Sequence, residues 1–273
     1  MENLSIIIHG PLHINILFTI YRYYQDHSIV VCVPNPEPDQ HKNISIFKEI
    51  TRLSDLPNTS ITVITYDKSI LSPYYNNHLN RWYHFFSVDL ALQQCHTDYA
   101  IKIRSDEFYS DLNPFYEAMV LNPSKIVTSD IYFRQTHMYY FHPSDHIMGG
   151  KTQILKNAFH TSKLLCENIK LLIELCESTE VLKNQKSIIY KSLDPFTLTP
   201  EQMIGIASVL SVSNVKEEIK DMDSIELMKN VFHIVKASDL GVFIISSSSN
   251  KVTYTDDSYF QSHMDVNDIE NYK

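Results

Sequence analysis

Glycine is scarce in this chain, at five of 273 residues. No G-x-G-x-x-G and no G-x-x-x-x-G-K-[ST] occurs, so the usual dinucleotide fingerprint and phosphate loop are both missing. Any nucleotide must be held some other way. Cysteine is also sparse. Cys32, Cys95, Cys166 and Cys176 form no C-x-x-C pair, which excludes a zinc knuckle. They read as reduced thiols of a cytosolic-type protein. No apolar stretch reaches the ~18 residues of a membrane span. The opening MENLSIIIHGPL carries an acid and too short an apolar run for a signal peptide. Basic residues are outnumbered, 23 Lys and Arg against 32 Asp and Glu, for a formal net charge of -9. That argues against a broad nucleic-acid-binding face. An anionic small substrate stays open, because a local Lys/Arg pocket can outweigh the global charge.

With 44% hydrophobic residues, the chain can build one large α/β domain with a helical extension. SIIIHG (5–10) is an apolar run stopped by Gly10-Pro11 and reads as a buried strand and a tight turn. Ile14, Leu17, Phe18, Tyr21 and Tyr24 then recur at helical spacing. Residues 28–34 and 60–67 read as further strands, 44–53 and 76–95 as helices, and 99–103 as a fourth strand. Alternating strand and helix predicts a mostly parallel sheet flanked by helices. In the second half, 125–133 and 137–145 read as strands around an aromatic patch. Residues 151–178, 199–210 and 224–236 read as helices, and 240–246 as a late strand. Thr199 is the expected N-cap of its helix, with Pro200 and Glu201 in the first turn. With no repeat or low-complexity linker, one domain is expected over 1–273. Its halves would be 1–112 for donor binding and 113–273 for acceptor binding.

Ligands of open α/β sheets bind outside the carboxyl ends of the strands. His9-Gly10-Pro11, Asp67, Arg104-Ser105-Asp106 and Asp145-His146 all fall at such ends. Asp106 can be a solvated turn residue or the oxygen ligand of a hard divalent cation. Such a cation would neutralise a diphosphate leaving group. Lys102 and Arg104 alternate to one face of their strand, and Arg81 offers a second fork for phosphate.

Three blocks carry a resemblance. They are SIIIHGPLHINILFTIYRYYQDHSIVVCV, NHLNRWYHFFSVDLALQQCHTDYAIKIRSDEFY and YYFHPSDHIMGGKTQIL, with TPEQMIG further on. Together they resemble the WavE family of lipopolysaccharide-synthesis glycosyltransferases over roughly the first 155 residues. The resemblance implies a GT-A-type fold, a nucleotide-sugar donor, and a saccharide or lipid-linked saccharide acceptor in surface glycan synthesis. It implies a DxD-like element holding Mn2+ or Mg2+ and the donor diphosphate. Here that element is Arg104-Ser105-Asp106, with arginine in place of the first acid.

On this reading Asp106 is the metal ligand. His9, Gly10, Pro11, Asp67, Asn77, Asn80, Arg81, Lys102, Arg104 and Ser105 face the donor, and His146, Gly149 and Gly150 face the acceptor. Glu201 and Asp145 are the catalytic acids, with Glu201 favoured as base in an inverting displacement. Bland alternatives stand beside these. Asp145 can be a helix cap, Gly149-Gly150 a turn, and the 132–141 patch core rather than a sugar platform. His263 can be a solvated tail residue or a late metal ligand. An apolar stripe on 151–178 packs inward or meets a membrane or partner. The rival from another class is a non-catalytic nucleotide- or glycan-binding protein on the same scaffold.

Overall fold

The computed structural model describes residues 3–67, 79–131, 133, 141–184, 199–213, 224–245 and 252–254. Four apolar runs form β1 (Leu4–His9), β2 (Ser28–Pro34), β3 (Ile61–Tyr66) and β4 (Tyr99–Arg104). They are parallel neighbours in the order β3-β2-β1-β4. Strands buried on both faces read as continuous apolar sequence, and Ile6, Ile7, Ile8, Val31 and Cys32 are fully buried. After β4 the chain forms the short β5 (Glu107–Tyr109), then β6 (Ile126–Ser129), β7 (Ile147–Lys151) and β8 (Phe232–Val235). β7 runs antiparallel between β4 and β6, and β8 lies parallel to β6. The main sheet is thus seven-stranded, in the order β3-β2-β1-β4-β7-β6-β8. β9 (Val242–Ile245) and β10 (Val252–Tyr254) join β5 in a small antiparallel sheet.

Helices cover both faces. α1 (Asn15–Tyr23), α2 (His41–Ser54) and α4 (Asn113–Leu121) share one apolar cluster with Ile6, Ile8, Ile101 and Ile103. α3 (Leu79–Gln93), α5 (Thr152–Glu167) and α8 (Pro200–Ser213) share the other with Ile7, Val30 and Ala100. α6 (Ile169–Ser178), α7 (Glu180–Asn184) and α9 (Ser224–Val231) complete the described α-helices, and Ala237–Leu240 forms a 3-10 turn.

The α/β architecture with a mostly parallel, helix-flanked sheet is as the alternating pattern predicts. Four differences have physical reasons. The helix expected over 151–178 breaks at Asn168, whose backbone is extended and whose side chain accepts from the Lys170 amide, starting α6. The helix expected over 224–236 ends at Val231, because FHIV pairs with β6 at the sheet edge. Gly149-Gly150, for which the sequence leaves a turn as one alternative, lies inside β7. Residues 141–145, read as the end of a strand, pair in no ladder, and 134–140 lie outside the described residues.

Candidate active site

The strand order turns between β1 and β4. β2 and β3 lie to one side of β1, and β4 to the other. The carboxyl ends of those two strands are therefore the expected ligand crevice, and a cavity of about 450 Å3 opens there. His9, Gly10 and Pro11 line it from the end of β1, and Arg104, Ser105 and Asp106 from the end of β4. Pro34 and Tyr66 close it from β2 and β3, Tyr83, His84 and Ser87 from α3, and Asp145, Pro200 and Glu201 from the second half.

The two strand ends meet because residue 10 is glycine. Its φ is +125°, and a Cβ there would come 2.6 Å from Ser105 Oγ. The close approach lets the Ser105 amide donate to the His9 carbonyl at 2.8 Å, one step past the ladder. The following turn is pinned from α1, where the buried Asn15 Nδ2 donates to the Asp106 carbonyl at 2.9 Å.

Charge is concentrated behind and along this wall. Lys102 is fully buried, and its Nζ donates to the Asp145 carbonyl. Burial lowers its pKa to about 8, and Arg104 pushes the same way while Asp145 opposes. Burial pushes the Asp145 carboxyl up, but Lys102 foremost, with His84, holds it below the usual carboxylate range. His84 Nδ1 lies 3.6 Å from Asp145 Oδ2. Burial and Lys102 lower the His84 pKa to about 3, so it is neutral at pH 7. His9 is lowered for the same two reasons, and its Nδ1 meets Ser87 Oγ at 3.2 Å. Glu107, 1% exposed, accepts from the Tyr109 hydroxyl at 2.7 Å and pairs with His146 Nδ1. A buried carboxylate needs such partners.

On the far wall, Thr199 and Gln202 form a capping box. Thr199 Oγ1 accepts from the Gln202 amide at 3.2 Å, and Gln202 Oε1 accepts from the Thr199 amide at 3.1 Å. This fixes Glu201 in the first turn of α8. Its Oε2 lies 3.7 Å from His142 Nε2.

Of the residues singled out in the sequence, His9, Gly10, Pro11, Arg104, Ser105, Asp106, Asp145 and Glu201 come together on the cavity. Others are placed elsewhere. Lys102 sits behind the wall, engaged with Asp145. His146 is turned to Glu107, and Asp67 is exposed beyond β3 without lining the cavity. Gly149 and Gly150 lie within β7. A Cβ on Gly149 would collide with Met119 Sδ and come 2.7 Å from Phe115 Cε1, so its smallness serves the seating of α4. Asn77, most of the 132–141 patch and His263 lie outside the described residues, and of Asn80 and Arg81 only the backbone, opening α3, is described. The sequence pattern does not single out Tyr66, Tyr83, His84 or Ser87. The i, i+3 spacing of His84 and Ser87 on a helix beside β1 is the signal it holds for them.

Asp106, which the resemblance assigns to a divalent cation, places both carboxylate oxygens on Arg104. Nε lies 3.0 Å from Oδ1, and Nη2 2.9 Å from Oδ2. Burial pushes the Asp106 carboxyl up, and the guanidinium more than offsets this, holding it below its ordinary value. Among the described residues, no three His, Cys, Asp or Glu side chains gather into a set that could hold a metal ion. The Asp106 carboxylate is engaged by the Arg104 guanidinium instead of standing open for a cation. Among the described residues, too, no helix is long and apolar enough to cross a membrane.

No family model and no curated protein matches the chain. Solved structures are similar at a distance. An active-site mutant of LgtC shares 10% identity over 61% of this chain and 64% of that one, with a TM-score of 0.40. Mouse xyloside xylosyltransferase 1 shares 10% over 86% and 84%, with a TM-score of 0.39. The WbbM bifunctional glycosyltransferase shares 10% over 59% and 35%, also with a TM-score of 0.39. Scores this low carry no argument about this chain. The resemblance to WavE remains a reading of the sequence.

Proposed function

We propose that the chain is a glycosyltransferase of GT-A type, which moves a sugar from a nucleotide donor to a saccharide acceptor in surface glycan synthesis. One observation carries this reading. The crevice at the β1/β4 switch point joins an accessible guanidinium, Arg104, to two separate carboxylates, Asp145 and Glu201, in a single cavity. Its volume lies in the range of small-molecule sites, roughly 300–1,000 Å3. Tyr66 and Tyr83 stack with centroids 6.0 Å apart at 25°, and with Pro34 they offer a flat apolar end for a nucleobase. Arg104 takes phosphate oxygens with its fork. Asp145, ionised and held from behind by Lys102, accepts hydrogen bonds from sugar hydroxyls.

Displacement of a nucleoside diphosphate from an anomeric carbon needs the attacking hydroxyl deprotonated. A carboxylate across the sugar from the phosphates can do this. Glu201, on the wall formed by α8, suits that role in an inverting reaction, in which one base suffices for direct displacement. Glu201→Gln should lower turnover about 10²–10⁴-fold with donor affinity retained, while Asp145→Asn should raise KM for the donor. Near-normal turnover in Glu201→Gln, with Asp145→Asn inactive but still binding donor, would exchange the two assignments.

A further inference from the structure

Asp106 and Arg104 form a bidentate pair on the cavity wall, and the pair is reachable: the side chains are 28% and 37% exposed. Two parallel N–H···O bonds from one edge of a guanidinium are also the geometry with which arginine grips two oxygens of a phosphate. The Asp106 carboxylate therefore stands where a phosphate would be held. Its backbone does not depend on that contact. The carbonyl of Asp106 is fixed by Asn15, and the preceding Ser105 amide by His9. A rotation of the Asp106 side chain releases the fork without moving the turn. Glu107, another carboxylate near Arg104 at 3.5 Å, is already engaged with Tyr109 and His146, and Asp145 adds a weaker pull on Arg104.

From this geometry we infer that Asp106 is an internal competitor for Arg104, displaced by the donor's phosphates, and that it is not a cation ligand. The inference rests on the reading of the cavity as a nucleotide-sugar site and specifies how that site takes phosphate. It reverses the sign expected for one substitution. A metal ligand lost from a diphosphate site weakens binding, whereas a competitor lost strengthens it.

The test is calorimetric titration of inorganic pyrophosphate and of UDP, GDP, CDP and ADP, in EDTA and again in MnCl2. The proteins are wild type, Asp106→Asn, Asp106→Ala, Arg104→Gln and the Arg104→Gln/Asp106→Asn double variant. In EDTA, both Asp106 variants should bind the preferred diphosphate about tenfold more tightly than wild type, and Arg104→Gln about tenfold more weakly. In the double variant, loss of Asp106 should bring no gain. Unchanged or weaker binding in both Asp106 variants overturns the inference. Wild-type binding that requires Mn2+ and is lost with Asp106 overturns it too, and leaves the glycosyltransferase reading standing. Folded wild type that binds no diphosphate in either buffer overturns both.

Discussion

His9 and His84 lie edge to face at the cavity, with ring centroids 4.6 Å apart. Lys102, Arg104 and Asp145 supply the charges around His84, and the His146 ring is a further titratable neighbour. Neutral imidazoles spare the crevice two further cations, and that neutrality has a cost in acid. The unfolded chain protonates His84 near its ordinary value of 6.5, whereas the folded protein resists protonation to about 3. The folded pKa is depressed, so this contribution is complete above 6.5 and is lost as pH falls toward 3. The slope is about 1.4 kcal/mol per pH unit for one such group. Asp145 enters only near the lower end of this window, because the unfolded chain's carboxyl protonates near its ordinary value of 3.8 while the folded one is held lower, so measurements above about pH 4.5 report mainly His84. Urea unfolding of wild type and His84→Gln between about pH 6 and pH 4.5 should show wild type losing stability faster, by about that slope. Parallel pH profiles would mean that His84 is protonated in the fold.

β7 shows how a glycine pair can mislead. In the sequence Gly149-Gly150 can be a turn or a close approach to an acceptor, yet IMGGK forms a central antiparallel strand between β4 and β6. The reason is tertiary: Phe115 and Met119 of α4 lie over Gly149 with no room for a Cβ. Gly149→Ala should destabilise the protein by about 1–3 kcal/mol through overpacking, with the affinity of the folded protein for nucleoside diphosphate unchanged. Chemical denaturation and titration together check this. Lost affinity without lost stability would return Gly149 to a ligand-facing role. The same contrast separates what the sequence reveals from what it conceals. β1, β2 and β4 are legible because buried parallel strands are apolar runs ended by breakers such as Gly10 and Pro34, and the partly exposed edge strand β3 is legible from its β-branched residues. The Thr199 cap is legible because capping is local. β8 is not, because FHIV continues the apolar pattern of α9 and only its pairing with β6 makes it a strand. Arg104 and Asp106 are legible as cavity residues from their place at a strand end. Their mutual fork is not, nor is the diversion of Lys102 to Asp145, because both depend on side-chain reach within the folded chain.

The order β3-β2-β1-β4-β7-β6-β8 draws on both halves of the chain for one sheet. The cavity does the same, with the Arg104 guanidinium from the end of β4 and carboxylates from the segment before β7 and from the start of α8. Although the net charge is -9, Arg104 presents a cation at the crevice itself. Ligands that bind only the native state stabilise it by about 2.7 kcal/mol at a hundred times their dissociation constant, which makes donor preference measurable without knowledge of the acceptor. The most direct test of sugar transfer from a nucleotide donor is the release of free nucleoside diphosphate from a panel of nucleotide sugars incubated with the protein. At least one nucleotide sugar should be cleaved, and the release should fall about 10²-fold or more in Glu201→Gln. A folded wild-type protein that leaves every nucleotide sugar intact, with and without saccharide acceptors, would contradict the assignment.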